Sequence, residues 1–200
     1  KDKGAYYTPK EVVHYMSQQS LIEYLKGKLK TDKQDIEIFI KQDKVTPYIE
    51  KNAEAIKKLL TDIKICDPAI GSGAFPMGIL KEIFQGLQKI HDLQHKGKTF
   101  DAARAKKHII QHSIYGVDLE RGAVDIARLR FWLALVVDEE VPQPLPNLDY
   151  KIMQGNSVLE KYGDVDLSKV RGKNDKSQLE LYVVEEPESI YNLEEVNTLI

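Results

Sequence analysis

The chain has 200 residues, of which 42% are hydrophobic, and a formal net charge of -2, so it can bury a sizeable core and lacks the global basic signature of a nucleic-acid binder. No apolar run reaches the roughly 18 residues that a membrane span needs, and no signal-peptide pattern is present, so we expect a cytoplasmic protein with no membrane partner. The single cysteine, Cys66, cannot form an internal disulfide, which favours a reducing compartment. Because the chain begins at Lys1 without a methionine, we expect it to be part of a longer protein.

The first third of the chain predicts a helical cap. Thr8 can serve as the N-cap of a first helix, with Pro9 at the first helical position and Glu11 completing a capping box. Apolar residues continue at helical spacing, and residues 33–60 predict one or two further helices. We therefore assign residues 1–60 to an N-terminal helical segment.

From residue 61 onward, strands alternate with helices. Three apolar runs predict strands, and each ends at a polar or glycine-rich group: the first at Asp67, the second at Asp118 and the third at Gly155. This alternation predicts an α/β fold with a parallel sheet over residues 61–160. Residues 161–200 are polar and acidic, and we expect them to form a solvated segment.

The group that follows the first strand predicts a ligand site, because parallel sheets bind ligands at the carboxyl ends of their strands. Gly71 and Gly73 allow the backbone to approach a ligand closely, and the helix after them presents free N–H groups. A dinucleotide is disfavoured, because Pro76 stands where the fingerprint has a third glycine or alanine, and no strand-end acid follows about 20 residues later. Asp67 disfavours a phosphate, since like charges repel, and favours a cationic group such as an ammonium or sulfonium.

The other two strand ends complete this predicted site. The carboxylate of Asp118 can accept two hydrogen bonds from a ribose diol, as in nucleoside-binding sheets. Asn156 offers an amide carbonyl and an NH2 group that suit an adenine edge. The three strand ends together predict a site for a nucleoside with a positively charged tail.

These segments resemble the motifs of amino-methylating DNA methyltransferases. Asp67-Pro68-Ala69-Ile70-Gly71-Ser72-Gly73-Ala74-Phe75 resembles motif I, usually written DPACGSGAF, with Ile70 in place of the usual cysteine. Tyr6-Tyr7-Thr8-Pro9 resembles motif X, Ile114-Tyr115-Gly116-Val117-Asp118-Leu119-Glu120 resembles motif II, and Gly155-Asn156-Ser157 resembles motif III. The order X, I, II, III is that of type I modification subunits and type IIG restriction-modification enzymes, and the likeness covers roughly residues 4–160.

The resemblance implies a Rossmann-like class I core that uses S-adenosylmethionine. In that family the motif I acid, here Asp67, lies near the ammonium-bearing tail, and the motif II acid, here Asp118, binds the ribose. The motif III residue, here Asn156, lies near the adenine amine, and the backbone around Thr8 and Ala69 contacts the methionine part. The cofactor-binding residues expected from the resemblance are Tyr7, Thr8, Asp67, Ala69, Gly71, Gly73, Phe75, Asp118, Leu119 and Asn156.

The catalytic motif IV of the family, Asn-Pro-Pro-Tyr, occurs nowhere in the 200 residues. In the family it holds the target adenine N6 and stacks on the flipped-out base. The resemblance thus implies that this chain has no catalytic residue of its own and that the parent enzyme methylates adenine N6 in double-stranded DNA. An endonuclease and specificity domains would be fused to it or separate from it. Cytosine N4 as the target, methylation of RNA, protein or a small molecule, and a non-catalytic scaffold remain open alternatives.

Three smaller features predict structure rather than function. His91 and His95, like His108 and His112, are four residues apart, but no third ligand is evident and we expect no metal site. A solvated face is predicted by the basic residues of this region, with contact to DNA phosphates as the alternative: Lys96, Lys98, Arg104, Lys106 and Lys107. We expect Cys66 to be a small buried residue at the end of the first strand.

Overall fold

The computed structural model describes residues 8–31, 34–42, 44–137, 147–159, 161–162 and 165–166. The chain divides into two compact units, residues 1–158 and residues 159–200. The predicted motif residue Tyr7, the proline-rich stretch 141–146 and the acidic tail beyond 166 lie outside the described residues. None of the described helices combines the length and apolar character that crossing a bilayer requires.

The first unit is an α/β structure, rich in helices, with a small parallel sheet. Its described elements, in chain order, are α1 (Lys10–Leu29), α2 (Gln34–Lys41), α3 (Pro47–Lys51), α4 (Ala53–Asp62), β1 (Ile65–Asp67), α5 (Ala74–Gln94), α6 (Ala102–His112), β2 (Ile114–Asp118), α7 (Arg121–Val136) and β3 (Ile152–Gln154). In the second unit, β4 (Lys161–Tyr162) pairs with β5 (Val165–Asp166) in an antiparallel hairpin.

The start of α1 differs from the predicted capping box. The first helical hydrogen bond runs from the Val13 amide to the Pro9 carbonyl at 3.0 Å, so Pro9 is the cap residue and α1 begins at Lys10. Pro9 has an extended backbone (φ -56°, ψ 147°), and no side chain caps the helix. The prediction of Thr8 as the N-cap, in a box with Glu11, was therefore wrong. Thr8 precedes the cap, and its side chain is exposed.

The region between α1 and the sheet contains three helices rather than the expected one or two. Thr46 ends the segment before α3 and accepts a hydrogen bond from the Ile49 amide at 3.4 Å, with Pro47 in the first turn. Asn52 then separates α3 from α4. A proline at the start of a helix is favourable because its missing N–H would have no partner there.

The sheet has the order β1-β2-β3 and all neighbours run parallel, which confirms the predicted strands and their direction. The register pairs Asp67 with Gly116, and Asp118 with Gln154. Because the strands are parallel, their carboxyl ends lie along one edge of the sheet. This edge brings together the three strand ends that the sequence singled out.

Only one face of the sheet is well covered by the described residues. Ile114 and Ile152 are buried in the same core cluster as α5, α6 and α7. Cys66 is exposed and pairs across the sheet with the half-buried Tyr115. Successive side chains in a strand point to opposite faces, so Cys66 lies on the face away from that core. The expectation that Cys66 is buried was therefore wrong.

The helical cap and the sheet share one hydrophobic core. Buried residues of α1, α2 and α4 belong to the same cluster as those of α5, α6, α7 and the strands. The long helix α5 is central to this arrangement, because α1, α4 and α6 all pack against it. The position of α1 relative to the sheet is thus set through α5.

Gly116 in β2 allows the loop after β1 to fold over the sheet. A Cβ atom at this position would overlap the side chain of Ile70 and lie only 3.0 Å from its Cβ. Ile70 is 4% exposed, and its amide donates to the Val117 carbonyl at 3.0 Å, so it has little room to withdraw. Close packing of Ile70 on the glycine therefore holds the loop against β2.

We expect Gly116→Ala to destabilise the protein by about 1–3 kcal/mol, because an extra methyl group overpacks a fixed contact. Urea denaturation with an unchanged slope measures this loss. The matched control is Gly122→Ala in the first turn of α7, where an added Cβ meets nothing within 4 Å. We expect this control to be neutral or to stabilise by up to about 1 kcal/mol. Equal effects of the two variants would contradict the packing role of Gly116.

Candidate functional site

The loop between β1 and α5 has a backbone that glycine favours. Gly71 has φ +53° and Gly73 has φ +81°, both in the left-handed region. At Gly73 a Cβ would also lie 3.2 Å from the Cβ of Ala127 in α7, whereas Gly71 has nothing within 4 Å. Gly73 therefore packs against α7, while Gly71 borders open space at the start of α5. The free N–H groups of the first turn of α5 face this region.

Asp118 at the end of β2 holds this loop. Its Oδ2 accepts a hydrogen bond from the Gly71 amide at 2.8 Å, and its Oδ1 accepts one from the Glu120 amide at 2.9 Å. Each carboxylate oxygen has a second lone pair. Asp118 therefore orients the glycine loop and retains one lone pair on each oxygen that could accept a hydrogen bond from a ligand.

Asp67 at the end of β1 lies in an electrostatically unfavourable position. Burial raises the pKa of its carboxyl group, the nearby negative charge of Asp118 raises the pKa further, and the hydrogen bond from the Ala69 amide, at 3.1 Å, acts in the opposite direction. Two carboxylates at one edge of the sheet create a negative potential there. The arrangement favours a cation and disfavours a phosphate.

The segment after β3 is tied to both neighbouring loops. The Ser157 hydroxyl donates to the Pro68 carbonyl at 2.6 Å, and the Gly155 amide donates to the Asp118 carbonyl at 2.9 Å. These bonds connect residues far apart in sequence and close the site across β2. The sequence marks Ser157 only as part of motif III, and its contact with Pro68 depends on the tertiary structure.

Asn156 presents a donor group at the third strand end. Its Oδ1 accepts a hydrogen bond from the Val158 amide at 3.1 Å, and its side chain is otherwise exposed. This turn leaves the NH2 group and one lone pair of the amide oxygen free for a ligand. The NH2 group can donate to a ring nitrogen of adenine, which is an acceptor. It is less suited to the adenine amine, which is itself a donor.

The structure brings most of the predicted site residues to this one edge. The Ala69 amide bonds to Asp67, and the Gly71 amide bonds to Asp118. Phe75 is half-buried and packs against the core behind the loop. Leu119 is 63% exposed, and Thr8 is exposed two residues before α1, outside this network. Tyr7 lies outside the described residues.

The two histidine pairs form ring contacts. The rings of His91 and His95 are 5.1 Å apart, and those of His108 and His112 are 4.6 Å apart. Within the described ranges, no three side chains of histidine, cysteine, aspartate or glutamate are grouped so that they could hold a metal ion. Nε2 of His108 also lies 3.3 Å from the Thr61 carbonyl oxygen, and the His91 ring contacts the ring of Phe100.

Comparisons with known proteins identify the family of this chain. Residues 43–190, more than half of the chain, match the family described as MmeI, DNA-methyltransferase domain. The chain belongs to this DNA-methyltransferase family. A relative from Methanocaldococcus jannaschii, named as a type II restriction enzyme and methyltransferase, is 35% identical over 175 residues. That alignment covers 80% of this chain and 15% of the relative, so the chain spans only a small part of the length of its relative.

The resemblance to restriction-modification methyltransferases is thereby confirmed. The family match includes β1, β2, β3 and the loops after them, which hold Asp67, Asp118 and Asn156. The edge of the sheet that carries the hydrogen-bonded carboxylates thus belongs to the methyltransferase domain.

We expect Asp67→Asn to raise the melting temperature of this methyltransferase domain near pH 7. The pKa of Asp67 is raised in the folded protein, so the ionised carboxylate destabilises the fold above that pKa. Protonation relieves the cost, so the difference between the variant and the wild type should shrink as the pH falls toward about 4, the ordinary range of the group. Thermal unfolding followed at several pH values measures it.

Asp118→Asn is the contrasting variant. Asp118 accepts two backbone hydrogen bonds, one on each oxygen, and an amide has only one acceptor oxygen. We expect this variant to lower stability by about 1 kcal/mol, the cost of one hydrogen bond. If Asp67→Asn lowered stability near pH 7, the electrostatic account of Asp67 would be wrong.

Proposed function

We propose that this chain binds S-adenosylmethionine at the carboxyl ends of β1, β2 and β3, as part of a Rossmann-like class I methyltransferase core. The observation that carries the proposal is the pair of carboxylates, Asp67 and Asp118, at adjacent strand ends beside a glycine loop. The raised pKa of Asp67 supports a cationic ligand at this position. The DNA-methyltransferase family match supports the same cofactor.

The donor and acceptor groups of the site fit each part of this cofactor. Asp67 would attract the ammonium-bearing tail through its Oδ2, because its Oδ1 already accepts a hydrogen bond from the Ala69 amide. Asp118 would accept the ribose hydroxyls with the lone pairs that its backbone partners leave free. The NH2 group of Asn156 would donate to a ring nitrogen of adenine. Gly71 leaves room for the ligand, because no atom lies within 4 Å of a Cβ built there.

The cofactor supplies an electrophilic methyl group on a sulfonium, and the residues described here bind and orient it. Asp67 and Asp118 would favour binding of the positively charged sulfonium cofactor, because the two carboxylates make the strand ends negative. Binding of the charged tail at the end of the sheet would restrict the direction in which the methyl group points. We propose no proton-transfer role for the expected cofactor-binding residues.

We propose that the whole enzyme methylates double-stranded DNA on adenine N6, as part of a restriction-modification system. The family match supports DNA as the substrate, and the name of the archaeal relative combines restriction and methylation in one protein. The motif order X, I, II, III supports adenine N6, with cytosine N4 as the alternative target. The 200 residues contain no Asn-Pro-Pro-Tyr sequence, so we propose that the catalytic group lies in another part of the enzyme.

Calorimetric titration of the chain with S-adenosylmethionine tests the binding site. We expect saturable binding, weakened at least about tenfold by Asp67→Asn, because a charge-assisted contact is lost. Asp118→Ala should weaken it further, since it removes the ribose acceptor and releases the glycine loop. Asp67→Asn should therefore be more stable than the wild type and bind more weakly, as expected where a functional residue is costly to the fold.

NAD is the control ligand, because it shares the adenosine part and has a negatively charged pyrophosphate. We expect no saturable binding of NAD. Binding of NAD with an affinity equal to that of S-adenosylmethionine, or unchanged affinity for S-adenosylmethionine in Asp67→Asn, would refute the cationic-tail assignment.

A methyl-transfer assay on duplex DNA tests the proposed reaction. We expect the 200-residue chain to transfer no methyl group and the product of the whole gene to transfer it. Nucleoside analysis of the methylated DNA should show N6-methyladenine. Turnover by the 200-residue chain would contradict the placement of the catalytic group elsewhere, and N4-methylcytosine would select the alternative base.

A further inference from the structure

A buried carboxylate joins α1 to α5. Glu82 in α5 is 3% exposed, and both of its carboxylate oxygens have partners on α1. Its Oε1 lies 3.0 Å from Nδ1 of His14, and its Oε2 accepts a hydrogen bond from Nε2 of Gln18 at 3.3 Å. His14 and Gln18 are four residues apart and therefore lie on the same side of α1. We call these three residues the α1–α5 clasp.

The two helices approach each other closely beside the clasp. A Cβ at Gly78 would lie 2.6 Å from Cγ1 of Val13 and 2.7 Å from Oγ of Ser17, so glycine is needed for this distance. The Ser17 hydroxyl is fully buried and has no hydrogen-bond partner among the described residues. Gly78 is in the turn before Glu82, so the close approach and the clasp form one contact region.

The contact region is connected through α5 and α1 to the two segments that the family resemblance assigns to the cofactor. Gly78 is five residues after Gly73 in the glycine loop, which is about 7.5 Å along a helix. Val13 is five residues after Thr8 in the motif X segment, and its amide is bonded to the Pro9 carbonyl. Further along α1, contacts are apolar, through fully buried residues such as Leu21 and Leu25.

A buried, hydrogen-bonded carboxylate adds little net stability, because well-packed hydrophobic residues in place of it and its partners often stabilise a fold equally well. Its hydrogen bonds instead select one arrangement of the partners that it joins. We propose that Glu82 is a positioning residue, which holds the first turns of α1, and with them Thr8 and Pro9, in register with the glycine loop of the cofactor site. This inference rests on the proposed binding of S-adenosylmethionine.

Glu82→Met tests the proposal, because it keeps the volume and removes both acceptors. We expect the variant to remain folded and to bind S-adenosylmethionine about tenfold more weakly than the wild type. Glu82→Gln should restore most of the affinity, since its amide can still bond to both partners. A residue with a merely structural role would change stability and leave the affinity of the folded protein unaltered.

Hydrogen exchange provides a second readout of position. In Glu82→Met the amides of residues 13–18 should exchange faster than in the wild type, while those of α4 remain unchanged. Unaltered exchange in the first turns of α1 would overturn the proposal.

Two alanine variants on α5 provide a matched pair that leaves Glu82 intact. Gly78→Ala would push against α1, whereas Gly86→Ala would push against α4, where the added Cβ lies 2.9 Å from Cδ1 of Leu60. We expect Gly78→Ala to weaken cofactor binding, and Gly86→Ala to lower stability with little effect on binding.

The outcomes separate the two proposals. Wild-type binding that is unchanged in Glu82→Met would overturn the role of Glu82 and leave the proposed function intact. A wild-type chain that binds no S-adenosylmethionine would refute the proposed function, and the role of Glu82 with it.

Discussion

The Gly71 amide donates a hydrogen bond to the Asp118 carboxylate at 2.8 Å, and the geometry of the whole site depends on this contact. It joins the loop after β1 to the end of β2, and the neighbouring bond from Ile70 to the Val117 carbonyl extends the connection. Together, these two hydrogen bonds set the height of the glycine loop above the sheet. The packing of Ile70 on Gly116 permits the contact, because no side chain on β2 keeps the loop away.

The same carboxylate that orders the loop makes the site electrostatically costly. Asp118 is close enough to Asp67 to raise the pKa of that residue, in addition to the effect of burial. A fold selected for stability alone would avoid two acids at adjacent strand ends. Strained electrostatics of this kind is common at functional sites, because the ligand compensates the charge that the protein cannot. The electrostatic cost of these two carboxylates therefore supports the proposal of a positively charged ligand.

The helical cap is coupled to this site through α5. The glycine loop leads directly into α5, and α1 packs along the same helix. Displacement of α1 would therefore change the position of Thr8 and Pro9 relative to the loop. The clasp at Glu82 adds directional hydrogen bonds to an otherwise apolar interface, so it selects one arrangement of the two helices among those that apolar packing alone permits.

The sequence by itself determined the features that depend on local chemistry: the three strands, the helices between them, the glycines of the loop, and the acids Asp67 and Asp118 at parallel strand ends. The periodicity of hydrophobic side chains and the backbone freedom of glycine are properties of short segments. They can therefore be recognised without knowledge of the tertiary structure. Only the tertiary structure decided that Cys66 lies on the open face, that Ser157 bonds to Pro68, and that Glu82 is buried against α1. Each of these depends on which distant surface a side chain meets, and the long-range packing that sets it has no signature within one short segment.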